Sequence, residues 1–262
     1  MKFRFDYLFK KKVLHFLGFY SLAQINKKNK KINSWFLNIL AGFFIVLFFI
    51  LMLSSIFLIG SAGYYKLYSK YIKQKKTVFD KTSSVAILIP SIQKNSIEEM
   101  SNQRMETKTY FLFFPFYLFI PIIFIITFIH EFGHYIMCRR AGIKIKEYGI
   151  GCISLFYIPT PIIFAYVDQQ ENHLKKASKY DYFSIISGGC AMNFLLCILL
   201  IIIFNFYFSQ TLNYLFILNI SVMLVNCLPI GPLDGGLFIK KISKNLKTLL
   251  TVFIILNFII LL

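Results

Sequence analysis

Long tracts of this sequence lack any Asp, Glu, Lys or Arg: none occurs from Ile32 to Tyr65, and none from Tyr182 to Leu233. Hydrophobic residues make up 57% of the chain. Together these features exclude an ordinary soluble domain, which could not hide so much apolar surface. Also absent is any Cys-x-x-Cys spacing. Cys138, Cys152, Cys190, Cys197 and Cys227 are odd in number and fall mainly in apolar segments. They read as buried reduced thiols and give no disulfide framework and no redox compartment. No secretory signal is expected, because Arg4, Lys10, Lys11 and Lys12 interrupt the apolar residues of the N-terminus and no small-residue cleavage site follows. No internal repeat is visible, which argues against a metal transporter built from repeated halves. Acidic residues are scarce, 11 against 29 Lys and Arg, giving a formal net charge of +18. Such an excess can mark a nucleic-acid binder. Here the lysines sit in loops beside the apolar tracts, mixed with Asn, Ile, Phe and Tyr, as membrane orientation requires, so no nucleic-acid partner is expected.

What is present fits a bilayer as solvent. A helix crossing a hydrocarbon core of roughly 30 Å needs about 20 mostly apolar residues. The chain therefore reads as an all-α polytopic membrane protein with about four to five transmembrane helices and a small β-rich, membrane-associated segment. Its expected order is a basic tail over 1–34, a first transmembrane helix over 35–65 and a polar loop over 66–108. A core over 109–238 follows, with helices near 117–138, 184–208 and 211–229 and a β-rich segment over 143–167. A basic then apolar segment, 239–262, completes the order. Within it Thr248 to Leu262 is short for a full span. The first apolar helix is expected to serve as the insertion signal and stay in place.

Orientation follows from the cations. With the N-terminus inside, inner segments hold 20 Lys and Arg against 9 outside. That places the tail and the β-rich segment on the cytosolic side. In the β-rich segment Ile143, Lys144, Ile145 and Lys146 alternate apolar and polar, and Gly149 and Gly151 follow, as in a short half-buried strand and turn. Tyr157 to Val167 is a second strand-forming run, which Pro159 and Pro161 relegate to an edge. The 66–108 loop, with Glu98, Glu99 and Glu106, reads as solvated surface.

The chemistry is concentrated in His130-Glu131-Phe132-Gly133-His134, inside the expected helix near 117–138. Histidines four apart on a helix stand one turn above each other on one face and can point at one metal. Two neutral imidazoles can bind Zn²⁺ and leave positions open, while Glu131 can take a proton from bound water. An ionisable residue at this depth costs at least ~2.5 kcal/mol on insertion scales, so three within five residues call for a compensating partner such as a metal. The third ligand must come from elsewhere. His15 and His173 lie in basic, polar segments and read as solvated histidines.

Asp234 is the better candidate. It stands in Asn226-Cys227-Leu228-Pro229-Ile230-Gly231-Pro232-Leu233-Asp234-Gly235-Gly236, where the prolines cannot continue a helix and the glycines let backbone approach closely. In isolation Asp234-Gly235 would read as a turn at a membrane edge. Beside the histidine pair it reads as the third ligand. Between Arg139 and Asp234 the chain is expected to cross the membrane twice, so Asp234 returns to the side of the histidines. The depths agree: His130 and His134 precede Arg139 by about 14 and 8 Å of helical rise.

With these residues in view, the chain resembles the site-2 proteases, intramembrane zinc metalloproteases that cleave membrane-tethered substrates. His130 to His134 fits the family's HExxH motif. Asn226, Pro229, Leu233, Asp234 and Gly235 fit its NxxPxxxLDG motif. Gly189-Cys190-Ala191-Met192-Asn193 is similar to a third, glycine-to-asparagine motif, with Cys190 where the family commonly has Pro. The resemblance covers about Phe111 to Gly236. It implies one Zn²⁺ per chain held by His130, His134 and Asp234, Glu131 as catalytic base, and Asn226 and Asn193 as substrate-binding or oxyanion residues. It also implies a membrane-spanning protein substrate within the lipid bilayer and an upstream site-1-type protease that sheds the outer part first. Neither an inserted PDZ domain nor a nucleotide-binding module is expected. Without turnover, the same residues would suit a membrane chaperone or scaffold that keeps the metal site. Retention of Glu131 with all three ligand candidates speaks against that alternative.

Overall fold

The computed structural model describes residues 4–7, 17–25, 31–32, 34–68, 87–91, 111–155, 158–169 and 171–261. His15 and most of the 66–108 loop, with Glu98, Glu99 and Glu106, lie outside these residues. In chain order the elements are β1 (Arg4–Tyr7), β2 (Leu17–Ile25), α1 (Trp35–Tyr68), β3 (Ile87–Ser91), β4 (Phe111–Pro115), α2 (Phe116–Ala141), β5 (Ile145–Leu155) and β6 (Ile158–Gln169). Helices α3 (Glu171–Lys176), α4 (Lys179–Phe204), α5 (Gln210–Asn226), α6 (Asp234–Ile242) and α7 (Lys244–Leu261) follow.

Among the described residues, three stretches are long and apolar enough to cross a membrane: Trp35–Tyr64 in α1, Tyr117–Ala141 in α2 and Lys179–Phe204, which is α4. The expected fourth span is shorter than foreseen, since α5 has 17 residues and stops at Asn226 rather than near 229. The cause is local. Pro229 and Pro232 lack the N–H a helix needs, and the chain turns there through Leu228 N–H to Val225 O at 3.0 Å and Leu233 N–H to Ile230 O at 3.1 Å. The apolar C-terminal stretch is the helix α7, which begins at Lys244.

Two compact units divide the chain. The first comprises Met1–Phe49 and Ile120–Met223. It contains a four-stranded sheet in the order β1-β2-β5-β6, each neighbouring pair antiparallel. Residues 1–34 were expected to be only a basic tail, yet β2 pairs along β5, with Tyr20 opposite Cys152. Strand β6 pairs with β5, Phe164 opposite Gly151, and stands last in the sheet with its two prolines. Pairing of β2 with β5 brings the chain back to where it started after α1 and α2. The helix ends agree: Ile32 N–H donates to Arg139 O at 3.0 Å, so the start of α1 lies beside the end of α2.

Arg140 joins this end to the start of α4. Its guanidinium donates to Asp181 Oδ1 at 2.6 Å, Ser184 Oγ at 2.7 Å and Asn38 Oδ1 at 3.1 Å. It lies over the Tyr180 ring, 5.1 Å from the centroid, and Tyr180 in turn donates to Asn38 O at 2.6 Å. A buried guanidinium is tolerable only with such paired, charge-assisted partners.

The second unit comprises Ile50–Phe119 and Leu224–Leu262. In it α7 packs on α1 at two glycines. A Cβ on Gly60 would lie 3.1 Å from Phe253, and one on Gly63 would collide with Asn257. Small residues at that spacing admit close helix contact in an apolar medium.

Candidate metal centre

Helix α2 presents its two histidines to the interior. Phe128 and Phe132 stack on each other and are exposed. They stand two positions from His130 and His134, about 200° around a 3.6-residue helix, so the aromatic stripe faces out and the imidazoles face in. His130 and His134 are 7% and 6% exposed. The helix ends just beyond them at Gly142, whose φ of 70° only glycine adopts readily. Ile143 N–H closes the end on Cys138 O at 3.0 Å, a Schellman cap.

Helix α4 crosses α2 at the motif, glycine on glycine. A Cβ on Gly133 would strike Gly188 O, and one on Gly188 would lie 2.7 Å from Gly133 O. With the backbones that close, the next glycine takes on a separate task. A Cβ on Gly189 would sit 2.5 Å from Nε2 of His130 and 2.5 Å from Nε2 of His134. The missing side chain thus leaves space against both ligand nitrogens. Helix packing at this crossing falls to Gly188, four residues after Ser184, a small-xxx-small pair.

The two rings are held edge to face, centroids 4.8 Å apart and planes at 79°, with Nε2 to Nε2 at 3.2 Å. Nδ1 of His134 lies 2.7 Å from Ile185 O. A carbonyl only accepts, so that nitrogen carries the proton and Nε2 keeps its lone pair, the arrangement usual for a metal-binding imidazole. Nδ1 of His130 faces the Asn193 amide at 3.2 Å.

Asp234 opens α6 in its first turn, where an anion is favoured by the helix dipole. The glycines after it are there for contact. A Cβ on Gly235 would collide with Cys227 O and lie 2.5 Å from Leu228 O, and one on Gly236 would lie 2.5 Å from Ile230 O. The unwound stretch is thereby folded back on the start of α6. Thr251 Oγ1 of α7 donates to Pro229 O at 2.7 Å and fixes it from the other side.

His130, His134 and Asp234, all buried, form a group that could hold a metal ion, their ligand atoms lying within 4.8 Å of one another. Two imidazoles and a carboxylate are a borderline-soft donor set suited to zinc, and three protein ligands leave room for a water. Glu131, adjacent to His130 on α2, is half-buried. Asn226 is half-buried at the last residue of α5. His173, in the short α3, is not in the group.

Residues 118–210 match the model of Peptidase family M50. The match is to the site-2 protease family and covers about a third of the chain. The M50 match takes in His130, Glu131, His134, Gly189 and Asn193. Asn226 and Asp234 lie beyond it. No curated protein and no solved structure matches the chain.

Proposed function

We propose that this chain is a zinc-dependent intramembrane endopeptidase that hydrolyses peptide bonds in or beside transmembrane segments of membrane-tethered substrates. The observation that carries the reading is the grouping of His130 and His134, on the helix that also bears Glu131 and within the segment that matches M50, with Asp234 from beyond that segment. His130, His134 and Asp234 would hold the ion. When bound, zinc supplies Lewis-acid polarisation of the scissile carbonyl and a water of lowered pKa. Glu131 takes the proton of that water and returns it to the leaving amine. Asn226 offers an amide donor for substrate or oxyanion. The inner-side orientation follows from the cation count, with N-terminus and active site toward the cytosol.

A substrate helix has its amides bonded internally, so its scissile segment must unwind before it can be cut. Strand β6, last in its sheet, offers an edge to which an extended substrate adds as a further strand. The natural partner is then a single-span membrane protein, after a site-1-type protease has removed its outer part.

The test is cleavage of a tagged single-span substrate by the purified chain in liposomes. The reading expects cleavage that a chelator abolishes and stoichiometric zinc restores. Cleavage indifferent to chelation would overturn it.

A further inference from the structure

Asn193 is fully buried on α4, four residues after Gly189 and with its amide 3.2 Å from His130 Nδ1. That is the far side of the ring from the Nε2 which meets His134. The two ends of a carboxamide are interchangeable at fixed heavy-atom positions, so its direction must come from the hydrogen-bond network. With nitrogen toward His130, Nδ1 accepts, and Nε2 carries the ring proton and cannot bind metal. With oxygen toward His130, Nδ1–H donates to it and Nε2 presents a lone pair. The lone pair of His134 Nε2 is fixed independently by the Ile185 carbonyl, 2.7 Å from its Nδ1. Two lone pairs facing each other at 3.2 Å repel unless a cation joins them.

We infer that Asn193 is a positioning residue: its side-chain oxygen holds His130 in the Nδ1–H tautomer that aims Nε2 at the metal, as the Ile185 carbonyl does for His134. This rests on the zinc reading above, and it gives Asn193 a task different from the substrate-binding or oxyanion role expected from sequence. Asn219, also fully buried, donates to the backbone carbonyl of Asn193 at 2.7 Å and to Cys197 Sγ at 3.1 Å, tying α5 to α4 at this level.

The experiment compares Asn193→Leu, Asn193→Asp and Asn219→Leu with the parent, each purified in detergent. Zinc affinity is read by competition with a chelator and the His130 tautomer by ¹⁵N NMR of labelled histidines. Loss of an outer hydrogen-bond partner weakens a metal site by about 10- to 100-fold, and that is the loss expected for Asn193→Leu. Asn193→Asp keeps an acceptor and is expected to retain affinity within about threefold, since a carboxylate serves the same imidazole N–H. Asn219→Leu is expected to lower thermal stability and leave zinc affinity unchanged. Parental affinity in Asn193→Leu would overturn the role while leaving the metal reading intact. If Asn193→Leu does not fold, two results still overturn it: a folded Asn193→Asp that loses zinc, or an Nε2-protonated His130 in the zinc-loaded parent. A parent that binds no zinc overturns the metal reading and this role together.

Discussion

At the scale of single residues, the site depends as much on side chains that are missing as on those present. Gly189 leaves space against both imidazoles, and Gly133 and Gly188 let two backbones touch. Gly189→Ala is therefore expected to abolish zinc binding by pushing a methyl between the ligand nitrogens. Equilibrium dialysis would check this, and a Gly189→Ala protein with full zinc would contradict it. Gly188→Ala acts through the helix crossing instead and is expected to cost about 1–3 kcal/mol of stability by overpacking. Thermal unfolding in detergent reads that loss. The residues of the candidate metal group were legible in the sequence because their spacing is local: HExxH on one helix, and Pro, Gly and Asp in one short run. Gly188, the Ile185 carbonyl and the Asn193 contact were not legible in that way. Each acquires its task from a partner more than 50 positions distant in the chain.

At the scale of elements, Arg140 shows how α1, α2 and α4 are held in register at one end. Its guanidinium is buried while Asp181 is partly exposed. Arg140→Met is expected to cost about 2 kcal/mol, the worth of charge-assisted hydrogen bonds with one partner still able to reach water. It should also loosen the histidine helix, seen as faster hydrogen exchange at the end of α2. Unchanged stability and exchange would contradict the latch. The β edge carries a different expectation. Proline at single positions from Ile162 to Val167 should reduce cleavage by about tenfold or more where it removes an N–H facing the substrate, by blocking strand addition. Cleavage assays along that series test it, and uniform activity would remove β6 from the mechanism. The long helices α1, α2 and α4 were legible because each holds a long apolar run with little or no charge. The contribution of β2 was not, because Leu17 to Ile25 mixes apolar and small polar residues without strict alternation, and its register is set by β5. The end of α5 was misjudged by three residues, since hydropathy continues to 229 while the hydrogen-bond ladder does not.

At the scale of the whole chain, the described residues hold three apolar helices long enough to cross a membrane, a segment that matches M50 and a His-His-Asp group. Hydropathy carried the apolar helices in the sequence, and the group that could hold a metal followed from two motifs far apart in the chain. What the linear reading could not supply is how helices that share so little polar surface are held: by glycine contacts, the buried Arg140 and the buried Asn193 and Asn219. The central claim is that Glu131 is the base of a zinc hydrolase working within the bilayer. The most direct measurement is cleavage of a single-span substrate by the parent and by Glu131→Gln, with zinc quantified in both. The account predicts equal zinc and a loss of turnover of about 10²–10⁴, the range for removing a positioned general base. A Glu131→Gln protein that keeps its zinc and cuts as fast as the parent would contradict it. A zinc-loaded parent that cleaves nothing, even after the outer part of the substrate is trimmed, would contradict it equally and leave a membrane scaffold in its place.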